Sequence, residues 1–225
     1  NMGYEVVLVS SGAIAVGRNK LNMTSKPDSM RMKQAAAAVG QCSLMYLYDK
    51  FFGDYDKTVA QILLNAEDIE QEEKKENLIN TFNALLEMGV IPIVNENDSV
   101  SYKEIESEDR LFGDNDMLSA VVAVLCRARH LVILSDIDGF YDHDPRLYPN
   151  AKLIEQIDTI DDSVYALAGG AGSRRGTGGM RTKLQAAALA TSQGTDTIVT
   201  NGKHPEALYD IVKGLHAGTL FPGKI

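Results

Sequence analysis

Cysteine is scarce in this chain. Cys42 and Cys126 are the two present, far apart and in no C-x-x-C pattern, which argues against a disulfide scaffold and a zinc site and suits a reducing compartment. Histidine is equally sparse. His130, His143, His204 and His216 show no metal-ligand spacing, and no G-x-S-x-G elbow or Cys–His nucleophile signature appears. No apolar run reaches the length of a membrane span, and no signal peptide is read. Positive charge is also in deficit: 22 Lys and Arg against 31 Asp and Glu give a formal charge of −9. A nucleic-acid surface needs a basic footprint, so that class is set aside. An anionic ligand would have to be held by local lysines and backbone dipoles. The expectation is a cytoplasmic chain with no membrane and no nucleic-acid partner.

What is present is ordinary globular composition, 44% hydrophobic and 24% charged over 225 residues, enough for a normal core. No internal repeat or low-complexity linker is found. The first residues run almost at once into an apolar stretch, residues 5–10, read as a buried strand. A turn at Ser10-Ser11-Gly12 leads into a helix, and a long helix capped by Asp28 or Ser29 runs to about Phe52 with a break at Gly40. A strand follows at 58–64, then one helix from about Asn65 to Met88 with Leu78, Phe82, Leu85 and Leu86 inward and Gly89 as its stop. Residues 90–94 form a strand, with Pro92 as an objection.

Residues 95–113 are polar and patternless. Residues 114–128 read as a deeply packed helix, apolar nearly all round. Residues 131–135 form a strand apolar on both faces, as in a parallel sheet. A weaker strand at 152–157, a short helix at 161–167, a helix closed by Gly194, a strand at 197–200, a helix at 204–213 and a last strand at 219–221 complete the pass. Strand and helix alternate throughout, which predicts an α/β fold with a mostly parallel sheet covered on both faces. One domain over residues 1–225 is the economical reading, with a lobe division near residue 130.

Open parallel sheets bind ligands beyond the carboxyl ends of their strands, and polar clusters fall there: Ser10-Ser11-Gly12, Asn95-Glu96-Asn97-Asp98 and Ser135-Asp136. Strand-end amides and carboxylates together can take the ammonium and carboxylate of an amino acid, although Asn and Asp also serve turns. Gly113-Asp114-Asn115-Asp116 opens the buried helix. Capping uses one such residue, which leaves polar side chains in need of partners; an Asp held near Lys183 would keep that lysine oriented and protonated. In 174–190, Gly176, Gly178 and Gly179 feed a helix with Lys183 in its first turn. Helix N-termini offer unpaired N–H groups to an anion, and glycines let a ligand approach. Glycines equally make surface turns, and the spacing is neither a Walker A nor a G-x-G-x-x-G sequence. The acidic run 67–76 reads as a solvated helix face, Asp142-His143-Asp144 as a solvated loop, and the alanines at 35–38 as close helix packing.

Six stretches in order, VVLVSSGAIAVG, IPIVNEND, FGDNDMLSA, VILSDIDGFYDHDPR, GTGGMRTKLQAA and GTLF, together resemble the amino-acid kinase family over essentially the whole chain. The NEND and GDND pair joined to GTGGMRTK resembles the branch acting on glutamate rather than the acetylglutamate, aspartate or uridylate kinases. The resemblance implies a three-layer αβα sandwich around a mostly parallel sheet of about eight strands. It implies ATP- and Mg2+-dependent phosphorylation of the γ-carboxylate of L-glutamate, the first step of proline synthesis, with proline as feedback inhibitor and a homo-oligomeric state. Carried over by motif, Ser11, Asp98 and Asn115 would bind glutamate. Ser135, Asp136 and Thr177, Gly178, Gly179, Met180, Arg181, Thr182 and Lys183 would bind ATP. Lys183 would also stabilise the moving phosphoryl group and Asp116 would organise the lysines. Magnesium would be held through the phosphates, with no protein ligand named. The family's first strand, with its K-x-G lysine, and the PUA domain of some members are expected to be absent from this sequence. A non-catalytic ligand-binding module of the same fold is the alternative from another class.

Overall fold

The computed structural model describes residues 2–100, 115–168 and 177–224. They form two compact units, Asn1–Leu118 and Ser119–Ile225. The division comes about a dozen residues before the expected lobe boundary, and inside a helix.

The first unit is built on a sheet of order β1-β3-β2, parallel throughout: β1 (Leu8–Val9), β2 (Val59–Leu64) and β3 (Ile91–Glu96). β1 is shorter and less buried than expected. It pairs only Leu8 with Ile93 and Val9 with Val94, and Val6 is half exposed, as befits a strand with one neighbour among the described residues. Pro92 does sit in the central strand. The N–H of Ile91 bonds Thr58 on the β2 side, and alternate residues face the other way. Position 92 therefore faces the β1 side, before β1 pairing starts at Ile93, so the missing donor breaks no ladder bond.

Helices α1 (Ala13–Lys20) and α2 (Met30–Gly53) pack on each other. Gly40 is no break; α2 runs straight through it. A β-carbon on Gly40 would lie 1.7 Å from the Ala13 carbonyl oxygen, and one on Gly17 would lie 1.7 Å from that of Ala36. The two backbones touch there, and Ala36 and Ala37 are buried beside them, as the alanine run suggested. The helix expected over 65–88 is two, α3 (Ala66–Glu70) and α4 (Glu72–Glu87). The Asp68 carboxylate accepts the N–H of Asn65 at 2.8 Å, and Gln71 is extended (φ −88°, ψ 112°) and starts α4 anew. Phe82 is fully buried, and Gly89 (φ 71°) stops the helix as read.

The second unit holds β4 (His130–Ser135), β5 (Asp196–Asn201) and β6 (Thr219–Phe221), with β4 and β5 parallel and β6 antiparallel. Helix α5 (Asn115–Leu125) spans the division and is buried on most sides. α6 (Asp162–Ala168), α7 (Thr177–Ser192) and α8 (Ala207–Val212) complete the unit. β4 is not apolar-buried on both faces, since Leu134 is exposed.

The described residues thus carry six strands in two three-stranded sheets, not about eight in one. Residues 152–157 show why one expected strand is missing. The N–H of Ile154 bonds the Phe140 carbonyl, but Glu155 and Ile157 bond Leu220. The segment changes partner midway and leaves two isolated bridges, antiparallel and parallel, rather than a ladder.

Candidate functional site

Parallel strands end side by side, and their chains then part; a cleft results. At the end of β1 the N–H of Ser10 bonds the Val94 carbonyl at 2.8 Å. The chain then turns at Gly12 (φ 92°) into α1. At the end of β3, Asn97 N–H bonds the Leu64 carbonyl at 2.9 Å, and the chain turns over 98–100. A cavity of about 460 Å3 opens between these arms and α2, walled by Gln41, Cys42, Gln61, Glu96, Asn97 and Asp98. Ala13, the first residue of α1, also lines it. The first helical bond of α1 is Val16 N–H to Gly12, so the N–H groups of its opening turn have no helical acceptor and favour a carboxylate.

Behind the cavity lies a polar network. Ser10 and Asn95 are buried. The Ser10 hydroxyl shares a 2.8 Å hydrogen bond with the Tyr48 hydroxyl. Asn95 Nδ2 donates to Gln41 Oε1 at 2.9 Å, and Asn95 Oδ1 accepts the Glu96 N–H at 2.9 Å. Asn115, first residue of α5, donates its Nδ2 to the Ser10 carbonyl and lies 3.3 Å from Asn95 Oδ1. Of the residues expected on glutamate, Asn115 is therefore tied to the strand end that carries the exposed Ser11, and Asp98 stands in the cavity wall. Gly113 and Asp114 lie outside the described residues, as does 101–111 of the segment after Ser99.

The second unit presents another strand-end cluster. Ser135 closes β4; its carbonyl accepts the Gly202 N–H at 2.8 Å and its hydroxyl lies 3.4 Å from Asp136 Oδ1. Arg146 pairs with Asp136 at 2.9 Å on the surface, an arrangement of small energetic weight. The Asn201 amide, and after it the Tyr141 hydroxyl, hold the Asp138 carboxyl below the usual carboxylate range, at 2.8 and 3.0 Å. α7 opens at Thr177, so Gly178 and Gly179 are already helical and Lys183 sits in the second turn, not the first. A run of glycines reads as a loop, yet Gly178 and Gly179 lie within the helix. Gly176 lies outside the described residues. A β-carbon on Gly179 would meet nothing within 4 Å among the described residues. Met180 and Lys183 are half-buried, Arg181 is exposed, and Thr182 Oγ1 donates to the Gly179 carbonyl at 3.0 Å. Leu184, Ala186, Ala187 and Ala190 anchor the inner face.

The sequence reading missed Gln41, Cys42, Tyr48 and Gln61. One signal was available for Gln41: it follows Ala37 by one helical turn, a polar side chain on an otherwise small and apolar face.

The amino acid kinase family model matches residues 1–201. The chain belongs to the amino acid kinase family. Within that family it is 56% identical, over its whole length, to the glutamate 5-kinase of Clostridium perfringens, of which it covers 83%. It is 49% identical to that of Listeria innocua, covering 81%. Among solved structures it resembles the isopentenyl phosphate kinase product complex of T. acidophilum, with a TM-score of 0.62 at 19% identity over 97% of this chain and 85% of that one. Escherichia coli aspartokinase III with aspartate and ADP gives 0.57 at 19%, over 94% and 44%. At these identities the structures speak to the amino acid kinase fold alone.

Proposed function

We propose that this amino acid kinase family member transfers the γ-phosphoryl group of ATP to the γ-carboxylate of L-glutamate, giving γ-glutamyl 5-phosphate, the first step of proline biosynthesis. The observation that carries the reading is 56% identity along the entire chain to a glutamate 5-kinase. The acceptor is assigned to the first unit: Asp98 for the ammonium, Asn115, Ser11 and the α1 N-terminus for polar and anionic groups. ATP is assigned to the second: Ser135, Asp136 and Thr177 to Lys183.

The chemistry asks for little proton traffic. A γ-carboxylate with a pKa of about 4.3 is ionised at neutral pH and needs no general base. Phosphoryl transfer depends on positioning and on neutralising charge. Lys183 brings a cation to the developing charge, with Asp116 organising the basic groups. Magnesium, when bound, shields the phosphate charge, and the phosphates are its chief ligands. The donor set fits that division, since the second unit offers a lysine and helical N–H groups for phosphate oxygens. Residues 1–225 are proposed to serve as one kinase domain of the three-layer αβα type, in the cytoplasm, as a homo-oligomer inhibited by proline.

Hydroxylamine trapping tests the reaction. With ATP, Mg2+ and L-glutamate the chain should yield γ-glutamyl hydroxamate and release ADP in step. N-acetylglutamate, aspartate and UMP should yield neither. ADP release with one of these and not with glutamate would move the assignment to that relative's reaction.

A further inference from the structure

The Asn115 amide is held by two acceptors, the Ser10 carbonyl and Asn95 Oδ1. The second depends on how the Asn95 side chain is set. Asn95 is 3% exposed, so water does not complete its bonding. Its Oδ1 already serves the Glu96 N–H and faces Asn115. Its Nδ2 needs an acceptor on the opposite side, and Gln41 Oε1 supplies it at 2.9 Å. Gln41 is itself buried, on the inner face of α2.

The neighbouring Gly40 explains how it gets there. Backbone contact of Gly40 with Ala13 and Gly17 seats α2 against the start of α1, beside the end of β1. A larger residue at position 40 would lift Gln41 away from Asn95. Without Gln41, a buried Asn95 Nδ2 is left unpaired, which is costlier than the net value of the bond itself. The side chain then turns to find another partner and withdraws Oδ1 from Asn115.

We infer that Gln41 is a positioning residue of the acceptor site, acting through Asn95 on Asn115. This rests on the assignment of Asn115 to L-glutamate above. The effect falls on acceptor binding and leaves the nucleotide alone, because every partner in the relay lies in the first unit.

The test is steady-state kinetics by hydroxamate formation, with melting temperature measured in parallel. Gln41→Met keeps the length and removes the acceptor; Gln41→Asn keeps the amide but stops a methylene short, and serves if the first variant folds poorly. Either should raise the KM for L-glutamate about tenfold, the scale of one buried hydrogen bond and its orphaned donor, with the ATP KM within about twofold. On an Asn95→Ala background, where the relay is already cut, Gln41→Met should add less than about twofold. Effects that multiply in full in the double variant would overturn the inference, since Gln41 would then act independently of Asn95. So would a lowered melting temperature with an unmoved glutamate KM, the mark of a merely structural residue. If the wild-type chain forms no hydroxamate, the acceptor reading itself fails and the inference goes with it, a result distinct from either.

Discussion

Lys183 and Asp98 carry opposite charges and have separable duties. Lys183 is assigned to charge that grows in the transition state, so Lys183→Ala should lower kcat by about 100-fold or more while the glutamate KM changes little. Equal kcat in the variant would remove Lys183 from the transfer step. Asp98→Ala should instead raise the glutamate KM by about ten- to a hundredfold, the value of a hydrogen bond to a charged group, and an unmoved KM would take Asp98 out of the acceptor site. The two cysteines offer an independent probe of the same cavity. Cys42 is exposed in the cavity wall, whereas burial pushes the Cys126 thiol up to about 11. At pH 8 Cys126 would be about one-thousandth thiolate and slow to react. One thiol should therefore alkylate quickly, and L-glutamate should slow it; alkylation indifferent to saturating glutamate would place the acceptor elsewhere. Asp98 and Lys183 stand out in the sequence only through the motifs that contain them, because Asn and Asp also serve turns and a lysine after glycines also suits a surface loop. Tyr48 was not legible, because its use depends on which strand end lies opposite α2, a fact of tertiary packing; Gln41 left only the trace of a polar side chain on a small, apolar helix face.

Helix α2 shows where element-level reading succeeds and fails. Its start, its end and its alanine-rich packing face follow from periodicity. Gly40 misleads, because a mid-helix glycine signals either a break or a close approach, and only the partner helix decides which. The contact makes a definite prediction. Gly40→Ala puts a β-carbon 1.7 Å from a backbone oxygen that cannot move aside cheaply, so it should destabilise the chain by at least about 2 kcal/mol. For a chain of this size that corresponds to about 4–8 °C in melting temperature. Gly53→Ala is the control: its β-carbon meets nothing within 4 Å, and alanine suits the end of a helix, so the melting temperature should hold or rise slightly. Equal loss in both variants would mean that the helices do not pack at Gly40. The split of 65–88 into α3 and α4 has the same lesson. Asn65 suits an N-cap and the acids after it suit a first turn, and a sequence dense in start signals does not say that a second helix begins after Gln71.

At the scale of the whole chain, alternation of strand and helix made the α/β class legible, because the two periodicities differ and neither needs tertiary context. The number of strands was not, since residues 152–157 have strand-like composition and are kept from a ladder only by a change of partner between Ile154 and Glu155. The assignment of glutamate to one unit and ATP to the other is likewise a statement about the whole chain, and hydrogen exchange reads it in one experiment. A ligand slows exchange where local opening must compete with binding, by an amount set by its concentration over its Kd. Saturating L-glutamate alone should protect the amides of residues 10–16 and 95–98, where N–H groups face the cavity or join its network. It should leave β4 and α7 unchanged. MgATP alone should protect residues 135–138 and the first turns of α7 while the β1 and β3 ends stay as they were. Glutamate protection confined to the second unit would reverse the allocation of substrates, and with it the roles given to Asp98 and Asn115. Protection by glutamate at residues 10–16 that disappears in Asn95→Ala, with the MgATP pattern intact, would tie the polar network behind the cavity to acceptor binding through the backbone it holds in place.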